Sequence, residues 1–498
     1  MSKARIFALV IAAVMVFGLL SACGGNTGGT TSTTAATTAA TTAATTAATT
    51  AATTAATTAA TTAAPTTEAA TEAPTEPAEE VVELRVLNYI DLSAPGAMET
   101  LDVVWKAFDE AHPNIKVTRE DEYNEPFHNS VEAYAAAGTL PDVLFAWPSG
   151  RSTTLHTQKL LKDLSPLVER DGLAANYIPQ ATMPENQAGG YMAMLPQGNT
   201  ATHMFIANLE VLEDAGLEPA TTYSELVEQV PILREAGYET VIMPNQDTWV
   251  MQSCLFSMVV GRFCGAGWEN RILSGEAKFT DPDFVAALDF IQQMYEDEVL
   301  LQSSIALGYG DGPGQFATNQ GAYYIDGDWR VGMFITDNTT GEALISPDRQ
   351  DNFKITVFPE IDLPGVKLNA SNSAVLGTGW GINAELEDGS AKLEAAWELV
   401  KWLCGEEVQT HMVRNGGLPT PSWIGIDYAS LGLEPLQVQM ANFSNEYSTS
   451  TAVVDGVLQG PVYEPLNDGL QALGMGVQTP EEVAQVTQDA FEAWDAAQ

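Results

Sequence analysis

From Thr33 to Ala64 the chain repeats Thr-Thr-Ala-Ala without interruption. Half of that repeat is β-branched Thr, which weakens a helix, and nothing in it can build a hydrophobic core. Its four-residue period is far below the roughly 20–50 residues of solenoid repeats. The tract reads as a solvated tether over residues 23–82, so any folded body must be assembled from residues 83–498. Those 416 residues exceed what one core ordinarily serves, and two lobes are expected.

Ahead of the tether, Lys3 and Arg5 precede an uncharged run from Ile6 to Leu20. That run is short for a membrane span but suits the apolar part of a signal peptide. It ends in Leu20-Ser21-Ala22-Cys23, which resembles the lipobox of bacterial lipoproteins. The resemblance implies a signal peptide over residues 1–22. It also implies acyl chains on Cys23 that hold the protein to the outer face of the cell membrane.

The formal charge of -44 rests almost wholly on the body, which carries 19 basic and 60 acidic residues. Such a field repels phosphate backbones and anionic headgroups, so nucleic acid is excluded as a partner. Three cysteines follow Cys23, namely Cys254, Cys264 and Cys404. An odd number cannot pair completely within one chain; a Cys254–Cys264 bridge stays open, and Cys404 falls on an apolar helical stripe.

The body opens with a strand over Val81–Ile90. A helix follows, marked by Met98, Leu101, Trp105 and Phe108, then strands at Ile115–Thr118 and Asp142–Ala146. Strands alternating with helices predict an α/β body with mostly parallel sheets and a ligand beyond the strands' C-terminal ends. No HExxH, GxSxG or Walker loop occurs, and the five histidines lack ligand spacing. No metal, cofactor or catalytic residue is expected.

Four segments then carry a family resemblance. They are Phe108–Val117, Gly138-Thr139-Leu140-Pro141-Asp142-Val143, Phe316–Gly332 with Gly327-Asp328-Trp329, and Gly379–Asn383 leading to Gly416–Thr420. In this order they resemble the extracellular solute-binding proteins of ABC importers, especially the carbohydrate-directed group. Tyr323-Tyr324 departs from the family's Ala-Met.

The resemblance implies a two-lobed periplasmic-binding-protein-like fold with a hinge and an interlobe cleft. Lobe 1 would hold residues 83–197 and 380–425, and lobe 2 residues 198–379 and 426–498. It also implies an oligosaccharide ligand, an ABC permease as partner and a monomeric receptor. A receptor for a peptide or polyamine, and a tethered glycoside hydrolase, are the alternative readings.

A sugar presents apolar C–H faces and a rim of hydroxyls, so its site needs aromatic platforms and planar polar groups. Trp329, Trp249, Trp147 and Trp380 are the candidate platforms, all at loops or strand ends. Asp91, Ser149, Arg151, Asn199 and Asp328 are the candidate polar partners. Trp105, Trp397 and Trp494 fit helical stripes and are expected in the core.

Overall fold

The computed structural model describes residues 81–184 and 187–497. The signal segment, Cys23 and the repeat tract lie outside the described residues. Among the described residues the strands are β1 (Val82–Tyr89), β2 (Ile115–Glu122), β3 (Val143–Ala146), β4 (Met194–Ala201), β5 (Met204–Asn208), β6 (Glu239–Ile242), β7 (Gly321–Asp326), β8 (Phe353–Thr356), β9 (Ser371–Ile382), β10 (Thr420–Pro421) and β11 (Ser448–Ala452). One sheet has the order β10-β4-β9-β3-β1-β2, with β11 also paired to β9; the other is β6-β7-β5-β8.

Alternation along β1 sets the first lobe. Leu84 and Val86 point to one face and pack with Phe108, Trp397 and Val400. Leu87 points to the other and packs with Phe127 and Val131 of the helix Glu125–Ala137. That helix stops at Gly138, whose φ of 64° is the left-handed conformation glycine favours at a helix end. Four residues later Asp142 is buried, where its carboxylate accepts the Arg85 N–H at 2.8 Å and meets Lys392 at 2.8 Å. The Gly-x-x-Pro-Asp pattern is thus a helix stop followed by a carboxylate that ties the next strand to β1.

β1 pairs in parallel with β2 from Val82↔Ile115 to Tyr89↔Glu122, and with β3 at Val86↔Val143. Three C-terminal ends therefore share one edge and deliver Tyr89–Asp91, Tyr123 and Trp147 to the same place. β2 runs four residues beyond the expected Thr118, because parallel pairing carries its charged half, Arg119 to Glu122.

The expectation of mostly parallel sheets is corrected. β3–β9, β4–β9, β10–β4, β5–β7 and β5–β8 are antiparallel, whereas β1–β2, β1–β3, β6–β7 and β9–β11 are parallel. The cause lies in the connections between lobes. β4 leaves the first lobe at Leu195 and enters the second at Ala201; β9 returns in the opposite sense to Trp380. Register shifts on either side of Gly198 bend the pair, and β10 adds a third strand against Gly198 and Asn199.

Gly377, with φ 82°, takes a left-handed turn in β9, and a Cβ at Gly379 would lie 2.0 Å from the Leu195 carbonyl oxygen. Past Trp423 the chain re-enters the second lobe, where Leu436, Met440 and Phe443 pack against Phe353 and Ile355.

All three cysteines of the body are free thiols. Cys254 and Cys264 lie ten residues apart on one continuous run of helix, nearly three turns, which spaces them about 15 Å along the axis. The open question of their bridge is thereby closed. Cys404 is buried and its thiol donates to the Leu195 carbonyl at 3.1 Å.

Candidate functional site

A cavity of about 360 Å³ lies between the lobes, in front of β4 and β9. Its first-lobe wall is aromatic. Tyr89 sits 5.2 Å from Tyr123, stacks on Phe145 at 5.7 Å and meets Trp147 edge-on at 5.0 Å. Phe145 in turn meets Trp380 at 5.6 Å, and Trp380 meets Trp105 at 5.8 Å. A short π-helical stretch, Leu101–Trp105, ends at Trp105, which joins this wall.

The second-lobe wall is built on β7. After Asp326 the chain passes Gly327 and Asp328 into a 3-10 turn, Asp328–Met333. The Trp329 ring lies flat on Gly327, where an added Cβ would stand 2.1 Å from it. Its indole N–H donates to the Tyr309 hydroxyl, which donates to Asp326 at 3.0 Å. The Arg330 guanidinium covers the Tyr309 ring at 3.6 Å and pairs with Asp326 at 3.2 Å. Trp249 completes the wall, 4.9 Å from Tyr309 and 6.2 Å from Trp329.

The lobes meet on both sides of the cavity. On one side the Ser149 hydroxyl donates to the Gly456 carbonyl, and a Cβ on Gly150 would lie 1.7 Å from the Asp455 carbonyl oxygen. On the other side Gly332 lies so close to Gly416 that an added Cβ would stand 2.7 Å from the Gly416 carbonyl oxygen. Desolvation dominates the titrating groups in between. Burial, helped by Arg151, lowers the His128 pKa to about 3, so its imidazole is neutral. Burial raises the Asp328 carboxyl to about 8. Among the described residues no cluster of His, Cys, Asp and Glu could hold a metal ion, and no helix is long and apolar enough to cross a membrane.

Two lobes, three crossing strands and an aromatic cavity at the crossing are matched by one family. The bacterial extracellular solute-binding protein model covers residues 94–410. This chain belongs to that family.

A chitin oligosaccharide binding protein has a similar fold, with TM-score 0.72 and 20% identity over 84% of this chain and 99% of that one. A protein from a study of xylan utilization by Caldanaerobius polysaccharolyticus gives 0.71 and 19%, over 82% and 99%. The maltose/maltodextrin-binding domain MalE from Bdellovibrio bacteriovorus, bound to maltotriose, gives 0.61 and 18%, over 83% and 100%. At these identities the likeness is one of fold. No curated protein sequence matches the chain.

In this solute-binding protein all nine residues expected at the site line the one cavity. Their present engagements differ. Asp91 closes an Asx turn, accepting the Ser93 N–H at 2.9 Å and its hydroxyl at 2.6 Å. Arg151 pairs with Glu125 at 2.7 Å, and Ser149 spans to Gly456. Asn199 accepts the Gly377 N–H at 2.9 Å, and Asp328 accepts the Ala201 N–H at 2.8 Å. Those last two side chains brace the crossing strands while facing the cavity. Trp380 is buried to 3% exposure within the first-lobe core and still lines the cavity.

Trp105 was expected in the core alone; it is buried, yet its ring also lines the cavity. Tyr123 and Arg330 were missed. Tyr123 follows β2 as Trp147 follows β3, and the signal was the true end of β2. Arg330 carried a weaker signal as the residue after the Gly-Asp-Trp motif.

Proposed function

We propose that the chain is the receptor of an ABC importer, closing around a carbohydrate, in particular an oligosaccharide, and delivering it to a membrane permease. The observation that carries this reading is the cavity's pair of opposed aromatic walls. Trp329, half-buried and seated on Gly327, offers a flat face for sugar C–H groups. Trp147 and the Tyr89 cluster face it from the other lobe. Asp91, Ser149, Arg151, Asn199 and Asp328 supply the donors and acceptors that a rim of hydroxyls needs. Binding makes and breaks no covalent bond, so the role needs no catalytic group.

The division into lobes at 83–197 with 380–425 and 198–379 with 426–498 belongs to this proposal. So does the anchor: residues 1–22 direct export, acylated Cys23 holds the membrane's outer face, and residues 24–82 give the body reach as a monomer. A thermal-shift screen of the purified protein tests the ligand class, since a solute that binds only the native state raises its stability. Shifts with xylo-, malto- or chito-oligosaccharides are expected. Shifts with dipeptides or spermidine and none with sugars would overturn the carbohydrate reading.

A further inference from the structure

Tyr123 follows β2 and stands in the first-lobe wall, 5.2 Å from Tyr89. Its side chain is half-buried and lines the cavity. Among the described residues its hydroxyl is neither hydrogen-bonded nor sealed from solvent. Burial holds the phenol's pKa above its ordinary 10.0, so the hydroxyl keeps its proton. The charges that act on it are Arg330, then Asp91, Asp326 and Asp247, and all but Asp91 belong to the second lobe. The hydroxyl therefore faces across the cavity.

Arg330 is the foremost group it faces. There Nε donates to Asp326 at 3.2 Å, Nη2 donates to the Tyr309 carbonyl at 2.6 Å, and the Tyr309 ring backs the guanidinium at 3.6 Å. Asp326 is itself fixed, accepting the Tyr324 hydroxyl at 2.7 Å and the Gly327 N–H at 2.8 Å. The Arg330 side chain is only 5% exposed, yet it lines the cavity, and among the described residues Nη1 is neither paired nor sealed from solvent. The second lobe thus holds an arginine rigidly and leaves one of its nitrogens to the cavity.

A guanidinium only donates, whereas a phenol hydroxyl both donates and accepts. We infer that Tyr123 and Arg330 are specificity-determining residues that grip one ligand from opposite lobes, Arg330 donating through Nη1 to a ligand oxygen and Tyr123 exchanging a hydrogen bond with a ligand hydroxyl. The inference rests on the carbohydrate reading and deepens it. Asp326 balances the guanidinium, so the arginine serves a neutral oxygen without requiring a carboxylate. A saccharide supplies both kinds of partner. A polyamine would instead set an ammonium group against the guanidinium, a like-charge contact that costs binding.

The test is titration calorimetry of the full chain and of Tyr123→Phe and Arg330→Lys, with xylotriose, maltotriose, chitotriose and spermidine as probes. For a trisaccharide that binds, affinity should fall about tenfold in Tyr123→Phe and about 30-fold in Arg330→Lys, the scale of one neutral and one charged hydrogen bond. Tyr123→Phe decides the matter even if Arg330→Lys misfolds, because the hydroxyl it removes has no partner in the protein. Its ligand-free melting temperature should match the parent's. Trisaccharide binding at parent affinity in Tyr123→Phe overturns the inference and leaves the carbohydrate reading standing. So does a loss of affinity that comes with a lowered ligand-free melting temperature in that variant, which would assign the hydroxyl to packing. Binding of spermidine alone, or of none of the four probes, overturns the carbohydrate reading and the inference with it.

Discussion

Arg151 and Asp455 face each other across the cavity rim at 3.9 Å, one from each lobe. Arg151 also holds Glu125 at 2.7 Å and covers the Tyr463 ring at 5.6 Å, so a first-lobe cation bridges to two second-lobe side chains. These contacts exist only while the lobes meet. Arg151→Met keeps the apolar stem and removes the charge. It should shift the ligand-free protein toward a larger radius of gyration in small-angle scattering. Both side chains are only 15% exposed, so the parent's radius should change little with salt. An unchanged radius in Arg151→Met would show that the rim pair does not hold the lobes together.

Gly150 gives a steric test of the same contact. With φ 53° and the Asp455 carbonyl oxygen 1.7 Å from where a Cβ would stand, the site has no room for a side chain. Gly150→Ala should keep both lobes folded and deny them this approach. Ligand affinity should fall about 100-fold, the scale of a lost population of the competent state. Calorimetry checks it, and parent-like affinity would place ligand binding in a different arrangement of the lobes.

The seat of Trp329 can be disturbed without touching the ring itself. Gly327→Ala places a methyl 2.1 Å from the ring atoms, and the indole must tilt away. A displaced platform should cost about 2 kcal/mol of affinity, comparable to removing an interface tryptophan. Little change in melting temperature is expected, since the ring is only half-buried. Titration by intrinsic fluorescence reports both the displaced ring and the affinity. A loss of stability with affinity intact would assign Trp329 to packing.

Asp328 makes stability depend on pH. Burial raises its carboxyl to about 8, against the Ala201 and Trp329 N–H groups that favour its charge. A carboxyl raised by folding holds a proton more tightly folded than unfolded. Its contribution is therefore fullest below the ordinary value of 3.8 and is lost as pH rises toward about 8. Asp328→Asn mimics the neutral form and keeps an oxygen for the Ala201 N–H. Between about pH 5 and pH 9 the parent's melting temperature should fall more steeply than the variant's. Parallel curves would contradict a protonated Asp328.

Much of the site was legible because it sits where apolar strands end. Asp91, Trp147, Ser149 and Arg151 follow β1 and β3, whose apolar runs mark their own ends in the sequence. β2 hid its end, since Arg119 to Glu122 look like solvent-facing loop and only pairing with β1 makes them strand. Tyr123 was lost with it. Trp105 could not be placed by helical period alone, because a buried stripe and a cavity wall share one face. The mixed sheets were illegible for a related reason: direction is set by chain crossings between distant segments, such as Thr200↔Val375, and not by local pattern.

The central claim is that a carbohydrate is held between the lobes against the Trp329 face, and calorimetric titration of the full protein with xylo-, malto- and chito-oligosaccharides tests it most directly. One of these series should bind one-to-one, with affinity reduced about 30-fold or more in Trp329→Ala and the sugar recovered unaltered. Absence of heat with all three, alongside saturable binding of spermidine or a dipeptide, would contradict it.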